Sequence, residues 1–127
     1  MKILLVDDND AVRSVLRHEL ERRGFGVCDE AADGIQAIAK ARELKPDLIL
    51  LDRSMPELGG ASVAPILRNE MPGVAIILMT LYVENTDSYA IRELGVDVVC
   101  AKSDGLENLV YHIDRLLASR SKSSPLH

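Results

Sequence analysis

Short, unbroken apolar runs, each followed by a longer stretch of helical period, constrain this chain more than any other feature. Four of them are plain: Ile3-Leu4-Leu5-Val6, Leu48-Ile49-Leu50-Leu51, Val74-Ala75-Ile76-Ile77-Leu78-Met79 and Val98-Val99-Cys100-Ala101. None alternates in polarity, which is how a strand reads when both of its faces are buried. A weaker run, Phe25 to Cys28, turns polar at its end and reads as an edge strand. Five such strands, each followed by a helix, predict an α/β fold with a parallel sheet, right-handed crossovers and helices on both faces.

The helical segments carry their own punctuation. Val12, Val15, Leu16 and Leu20 share the face of a first helix, and Gly24 supplies a left-handed stop. Asp33 is a cap for a second helix bearing Ile35, Ile38 and Ala39, with Pro46 marking the exit to the next strand. A third helix is predicted from Gly60 to Asn69, with Val63, Ile66 and Leu67 on one face and Pro65 bending it. A fourth, from Glu84 to Leu94 with Gly95 at its end, is polar in its first turn, which suits an element that shifts. In the last helix Leu106, Leu109, Val110, Ile113, Leu116 and Leu117 form one stripe, and Asp104 with Glu107 resembles a capping box. From Ser119 the chain is polar, so residues 1–118 are read as one domain and 119–127 as a tail.

Composition narrows the function. A chain of 127 residues is one domain of ordinary size. Its net charge of −5 and its four aromatic residues (Phe25, Tyr82, Tyr89, Tyr111) argue against direct nucleic-acid binding, which calls for basic surface and stacking rings. Cys28 and Cys100 lie in apolar segments and read as buried free thiols. The apolar run after Met1-Lys2 is too short for a signal segment or membrane span, so a reducing, cytoplasmic setting with no membrane partner is expected.

In an open parallel sheet, ligands bind beyond the carboxyl ends of the strands. There the sequence places Asp7-Asp8 after the first strand, Asp52 after the third, Thr80 after the fourth and Lys102 after the fifth. Asp8 alone could be an ordinary helix cap, but five such residues on one rim call for a common purpose. Three carboxylates against one ammonium leave a net charge of −2, which a divalent cation balances. An oxygen-only ligand set with no His or Cys nearby favours Mg²⁺, an ion that shares its remaining positions with phosphate oxygens. Asp52, opposite the Asp7-Asp8 pair, is then the nucleophile that accepts a phosphoryl group. Thr80 donates a hydroxyl hydrogen bond to that group and Lys102 pairs with it.

In these motifs, Ile3-Leu4-Leu5-Val6-Asp7-Asp8, Leu50-Leu51-Asp52-Arg53-Ser54-Met55-Pro56, Thr80 and Lys102, the chain resembles the receiver domains of two-component response regulators over Lys2 to about Ala118. The resemblance implies a flavodoxin-like, doubly wound sheet in the order 2-1-3-4-5. It also implies that Asp52 is the phosphoacceptor and that a histidine kinase or phosphotransfer protein is the donor. Mg²⁺ would be bound by Asp7, Asp8 and Asp52, with Asp8 the more direct ligand and the backbone carbonyl of Ser54 a further contact. Thr80 and Lys102 would sense the phosphoryl group. Such a domain is regulatory rather than an enzyme, assisting only its own phosphorylation and dephosphorylation. The face formed by the fourth helix, fifth strand and last helix would meet a downstream effector or a second copy.

Three positions depart from that pattern. Leu81 follows Thr80 where Ala or Gly is usual, and Val99 replaces an aromatic switch residue, although Tyr82 could substitute for it. Ser103 replaces the Pro that follows the Lys; a cis bond without proline costs about 3 kcal/mol, so a trans Lys102–Ser103 bond is expected. Leu81 and Val99 leave a pseudo-receiver or scaffold acting without phosphorylation as the alternative. His18 and His112 read as surface or boundary residues, and His127 lies in the tail. Arg13, Arg17, Arg22 and Arg23 read as a solvated basic face, or as a kinase-docking surface. The Asp8-Asn9-Asp10 run resembles the motif of haloacid-dehalogenase-type phosphatases, but Val12 stands where that class needs Thr.

Overall fold

Each apolar run becomes a strand whose successive side chains go to opposite faces, so every strand feeds two cores. The computed structural model describes residues 1–55, 58–80 and 93–123. Strands β1 (Lys2–Val6), β2 (Gly26–Ala31), β3 (Leu48–Asp52), β4 (Ala75–Thr80) and β5 (Val98–Ala101) form one parallel sheet in the order β2-β1-β3-β4-β5. The described helices are α1 (Asp10–Arg22), α2 (Gly34–Leu44), α3 (Gly60–Glu70) and a C-terminal helix (Leu106–Ser123). Leu4, Val6, Ile49, Leu51, Ile76 and Leu78 pack with Ala37, Ala41, Val63 and Leu67 of α2 and α3 on one face. Ile3, Leu5, Leu48, Leu50, Ile77 and Met79 pack with Leu20, Leu109, Ile113 and Leu117 of α1 and the C-terminal helix on the other.

The expected fold class and strand order hold, and several local expectations do not. The edge strand runs past Cys28 to Ala31, with an irregularity opposite Ile3/Leu4. Its polar end is tolerated because Asp29 pairs with Lys40 and Glu30 with Arg13 and Arg17. The helix faces are also rotated from the expected ones: Val15 is 62% and Ile35 65% exposed, and Ile66 and Ala39 face outward. Small residues line the buried face of α2 instead, namely Gly34, Ala37 and Ala41. A Cβ on Gly34 would lie 2.5 Å from both the Leu58 carbonyl oxygen and Val63 Cγ2, so α2 sits closer to its neighbours than an Ile-lined helix could.

The predicted stops and caps are partly realised. Gly24 takes φ +92°, ending α1, and Asp33 accepts a hydrogen bond from Gln36 N while Gln36 Oε1 accepts one from Ala32 N. The proposed Asp104/Glu107 capping box does not form. The C-terminal helix starts after Gly105 at φ +88°, and Glu107 reaches across to Arg23. That helix also continues through Ser123, and Leu117 is the last buried residue among those whose burial is described. Leu81, Tyr82, Pro56 and all but the last two residues of the helix expected over 84–94 lie outside the described residues. Cys28 is half-buried rather than buried; Cys100 is buried, and both thiols are free.

Gly60 opens α3 against the end of β3, where a Cβ would stand 2.4 Å from the Asp52 carbonyl oxygen and 2.9 Å from Leu78 Cδ1. Gly60→Ala is therefore expected to destabilise the fold by about 2 kcal/mol, the usual scale of overpacking. Gly73→Ala, whose added Cβ meets nothing within 4 Å, is expected to stay within about 0.5 kcal/mol of the parent. Urea denaturation of the two variants checks both values.

Candidate functional site

Sheet register assembles the site. Val6 pairs with Leu51 and Asp52 with Met79, so Asp7 and Asp52 leave adjacent strands at the same level. Thr80 pairs with Ala101, which sets Lys102 one residue beyond Thr80 on the same rim. The ladder extends just past the strands, with Asp7 N donating to Ala31 O (3.1 Å) and Arg53 N to Met79 O (2.8 Å). Asn9 rather than Asp8 caps α1, its side-chain oxygen accepting from Val12 N at 3.0 Å. Asp8 is thereby not used as a cap, and it stays exposed at the rim.

The three carboxylates converge: one oxygen from each of Asp7, Asp8 and Asp52 lies within 4.8 Å of the others. Asp7 is 0% and Asp52 4% exposed, the two buried charged residues among those described. Lys102 Nζ bridges them, 3.2 Å from Asp7 Oδ2 and 3.3 Å from Asp52 Oδ1. Backbone donors complete the arrangement, with Asn9 N on Asp7 Oδ1 (2.9 Å) and Ser54 N on Asp52 Oδ1 (3.3 Å). Burial and then the charge of Asp7 raise the Asp52 carboxyl above its ordinary value, against the opposing pull of Lys102 and the Ser54 N–H. Burial works to lower the Lys102 ammonium, but the field of Asp52 and the hydrogen bond and charge of Asp7 outweigh it and raise the group. The Lys102–Ser103 bond is trans, as expected, and Lys102–Asp104 form a 3-10 turn.

Thr80 is half-buried at the end of β4, and the exposed Ser54 sits two residues past Asp52. Val99 is half-buried in β5. His18 is exposed and His112 half-buried against the edge of the Tyr111 ring, in keeping with their reading as surface and boundary residues. Burial pushes the Cys100 thiol up to about 11, leaving it protonated and unreactive. The reading of the first helix as a solvated basic face holds for the exposed Arg22 and is corrected for Arg13. Arg13 and Arg17 both bind Glu30, Arg22 binds Glu19 and Arg23 binds Glu107. Arg13 also donates to the Asp7 carbonyl, and its side chain is only 12% exposed. Sequence reasoning missed it because a helical Arg carries no pattern distinguishing a buried anchor from a surface charge.

The donor set suits a small hard cation: three convergent carboxylate oxygens, no nitrogen or sulfur ligand among the described residues, and one ammonium to offset three charges. The fold is thus a doubly wound parallel sheet with an acidic cluster and a lysine gathered at its carboxyl edge. The family model for the response regulator receiver domain matches residues 3–114, and the chain belongs to that family. The chain is 30% identical over 126 residues to the response regulator protein VraR of Staphylococcus aureus, a match that covers 98% of this chain and 60% of the relative. The chain thus spans about 60% of the length of the curated relatives it matches. Among solved structures, a CheY-like receiver domain protein from Methanospirillum hungatei superposes with a TM-score of 0.88 at 25% identity, covering 97% of this chain and 98% of that one. TrrA of Thermotoga maritima, solved in complex with Mg(2+)-BeF, superposes with a TM-score of 0.81 at 31% identity, covering 91% and 97%. The chain is a response-regulator receiver domain, a regulatory module of the two-component kind. Among the described residues, no helix is long and apolar enough to cross a membrane.

A carboxyl raised on folding means that the folded state holds the Asp52 proton more tightly than the unfolded chain does. Ionising Asp52 therefore costs stability, and that stability is lost as pH rises through the folded value. Asp52→Asn is expected to raise the thermal midpoint at pH 7 by a few degrees. The gain should shrink as pH falls into the carboxylate range, which calorimetry at several pH values measures.

Proposed function

We propose that this receiver is a phosphorylation switch in which Asp52 takes a phosphoryl group from a phosphohistidine of a histidine kinase or phosphotransfer protein. The single observation that carries the reading is Lys102 bridging two buried carboxylates, 3.2 Å from Asp7 and 3.3 Å from Asp52, at the open rim of the sheet. Asp52 is the nucleophile: a P–O bond to its carboxylate forms while the P–N bond to the donor imidazole breaks, the electron pair leaving with the nitrogen. Lys102 already sits beside the attacking oxygen and neutralises charge growing on the phosphoryl oxygens. Thr80 donates its hydroxyl to one of those oxygens once the group is in place. Asp7 and Asp8, with Asp52 and the Ser54 carbonyl, would hold Mg²⁺, which supplies positive charge against the phosphoryl oxygens when bound.

The output follows from the same geometry. Pulling Thr80 and Lys102 toward a phosphoryl group on Asp52 moves the ends of β4 and β5, and so biases the face formed by β5 and the C-terminal helix, to which the sequence adds the helix expected over 84–94, outside the described residues but for its last two. That face meets a downstream effector or a second copy of the chain, in a cytoplasmic setting. The domain assists only its own phosphorylation and dephosphorylation.

Intact-mass measurement with phosphoramidate as donor tests the reading. The parent is expected to gain the mass of one phosphoryl group with Mg²⁺ and far less after chelation, and Asp52→Asn none. Lys102→Ala should be slowed by about 100-fold, the scale of losing one transition-state donor. An equal adduct on Asp52→Asn would overturn the assignment.

A further inference from the structure

We propose that Arg13 is a positioning residue for the acidic cluster: by gripping the Asp7 carbonyl, Glu30 and Asp10 together, it aims the Asp8 carboxylate and so sets the cation affinity of the site. The inference rests on the reading that the cluster holds Mg²⁺.

The guanidinium of Arg13 uses a different nitrogen for each of three elements. Nε donates to Glu30 Oε1 of β2 at 3.1 Å, Nη1 to the Asp7 carbonyl just past β1, and Nη2 to Asp10 Oδ1 at the start of α1. A charge so nearly removed from water persists only with such partners. Docking α1 on β2 does not need it, because Arg17 Nε already binds Glu30 Oε2 at 2.6 Å. What Arg13 adds is the contact to the Asp7 carbonyl, and a planar fork makes it where a lysine ammonium cannot span all three acceptors.

That carbonyl shares a rigid peptide plane with the Asp8 nitrogen, so fixing its direction fixes where Asp8 begins. On the other side Asn9 is held twice, its N–H on Asp7 Oδ1 at 2.9 Å and its side chain on Val12 N at 3.0 Å. Asp8 is strapped between two anchored peptides. Among the described residues its carboxylate has no ion pair or hydrogen bond of its own, so the backbone does the aiming.

The sign of the effect separates positioning from simple charge. Arg13→Gln removes a cation beside the cluster, so a purely Coulombic role makes Mg²⁺ bind more tightly; loss of positioning makes it bind more weakly. Titration of Mg²⁺ into the full chain, followed by calorimetry and by amide NMR shifts, is expected to give about tenfold weaker binding for Arg13→Gln, the scale of losing a group that orients a metal ligand. Arg13→Lys keeps the charge without the fork and should also bind Mg²⁺ more weakly than the parent, whereas a purely Coulombic role leaves it parent-like. Arg22→Gln, which removes only a partner of Glu19, should match the parent. Unchanged or tighter binding in Arg13→Gln overturns the proposal. If that variant does not fold, parent-like affinity in Arg13→Lys overturns it instead. A parent chain that binds no Mg²⁺ removes the underlying reading as well, and that arm is read before any variant.

Discussion

Asp7 and Asp52 are almost wholly withdrawn from water, and the ammonium of Lys102 reaches both. Burying a carboxylate costs several kcal/mol unless charge and hydrogen bonds compensate, and two side by side also repel. The parts around them answer that demand. β5 ends where Lys102 can span the pair, the chain after β1 turns so that Asn9 N faces Asp7, and the chain after β3 turns so that Ser54 N faces Asp52. Gly60 lets α3 close against the Asp52 carbonyl without opening the rim. Compensation is still incomplete, since Asp52 remains raised despite its lysine. Buried charge left incompletely compensated clusters at binding and catalytic sites, which supports the proposed function.

Two apolar layers support that cost. Because β1, β3 and β4 bury both faces, their backbones are clamped between α2 and α3 on one side and α1 and the C-terminal helix on the other. Strand ends held so firmly keep the rim residues at fixed separations, as the proposed switch requires if a small added group is to be felt. Arg13 adds a further tie at the rim, joining the Asp7–Asp8 peptide to β2 and α1. Membership of the receiver family and the form of the site thus agree, although they rest on separate observations.

Most of the fold was legible in the chain because unbroken apolar runs have few alternatives. Where legibility failed, a competing interaction decided. The end of β2 looked too polar for a strand, since Asp29 and Glu30 gain partners only from α1 and α2, remote in sequence. Ile35 looked like a core residue, yet the close approach permitted by Gly34 turns α2 so that Ala37 and Ala41 face inward. Asp104 and Glu107 had the spacing of a capping box, and the pairing of Glu107 with Arg23 took one member away.

By itself, the sequence determined the class of the fold and the inventory of the site. Apolar period is a local property, and each of Asp7, Asp8, Asp52, Thr80 and Lys102 is named by its place at or just past the end of an apolar run. Tertiary structure alone decided which carboxylates are buried, which residue caps α1, and which arginine reaches the Asp7 carbonyl. Those outcomes depend on distances between segments far apart in the chain: Lys102 and Asp7 are separated by 95 positions, Arg13 and Glu30 by 17. Charge and hydrogen bonding act through space, so only the folded chain brings such partners within reach.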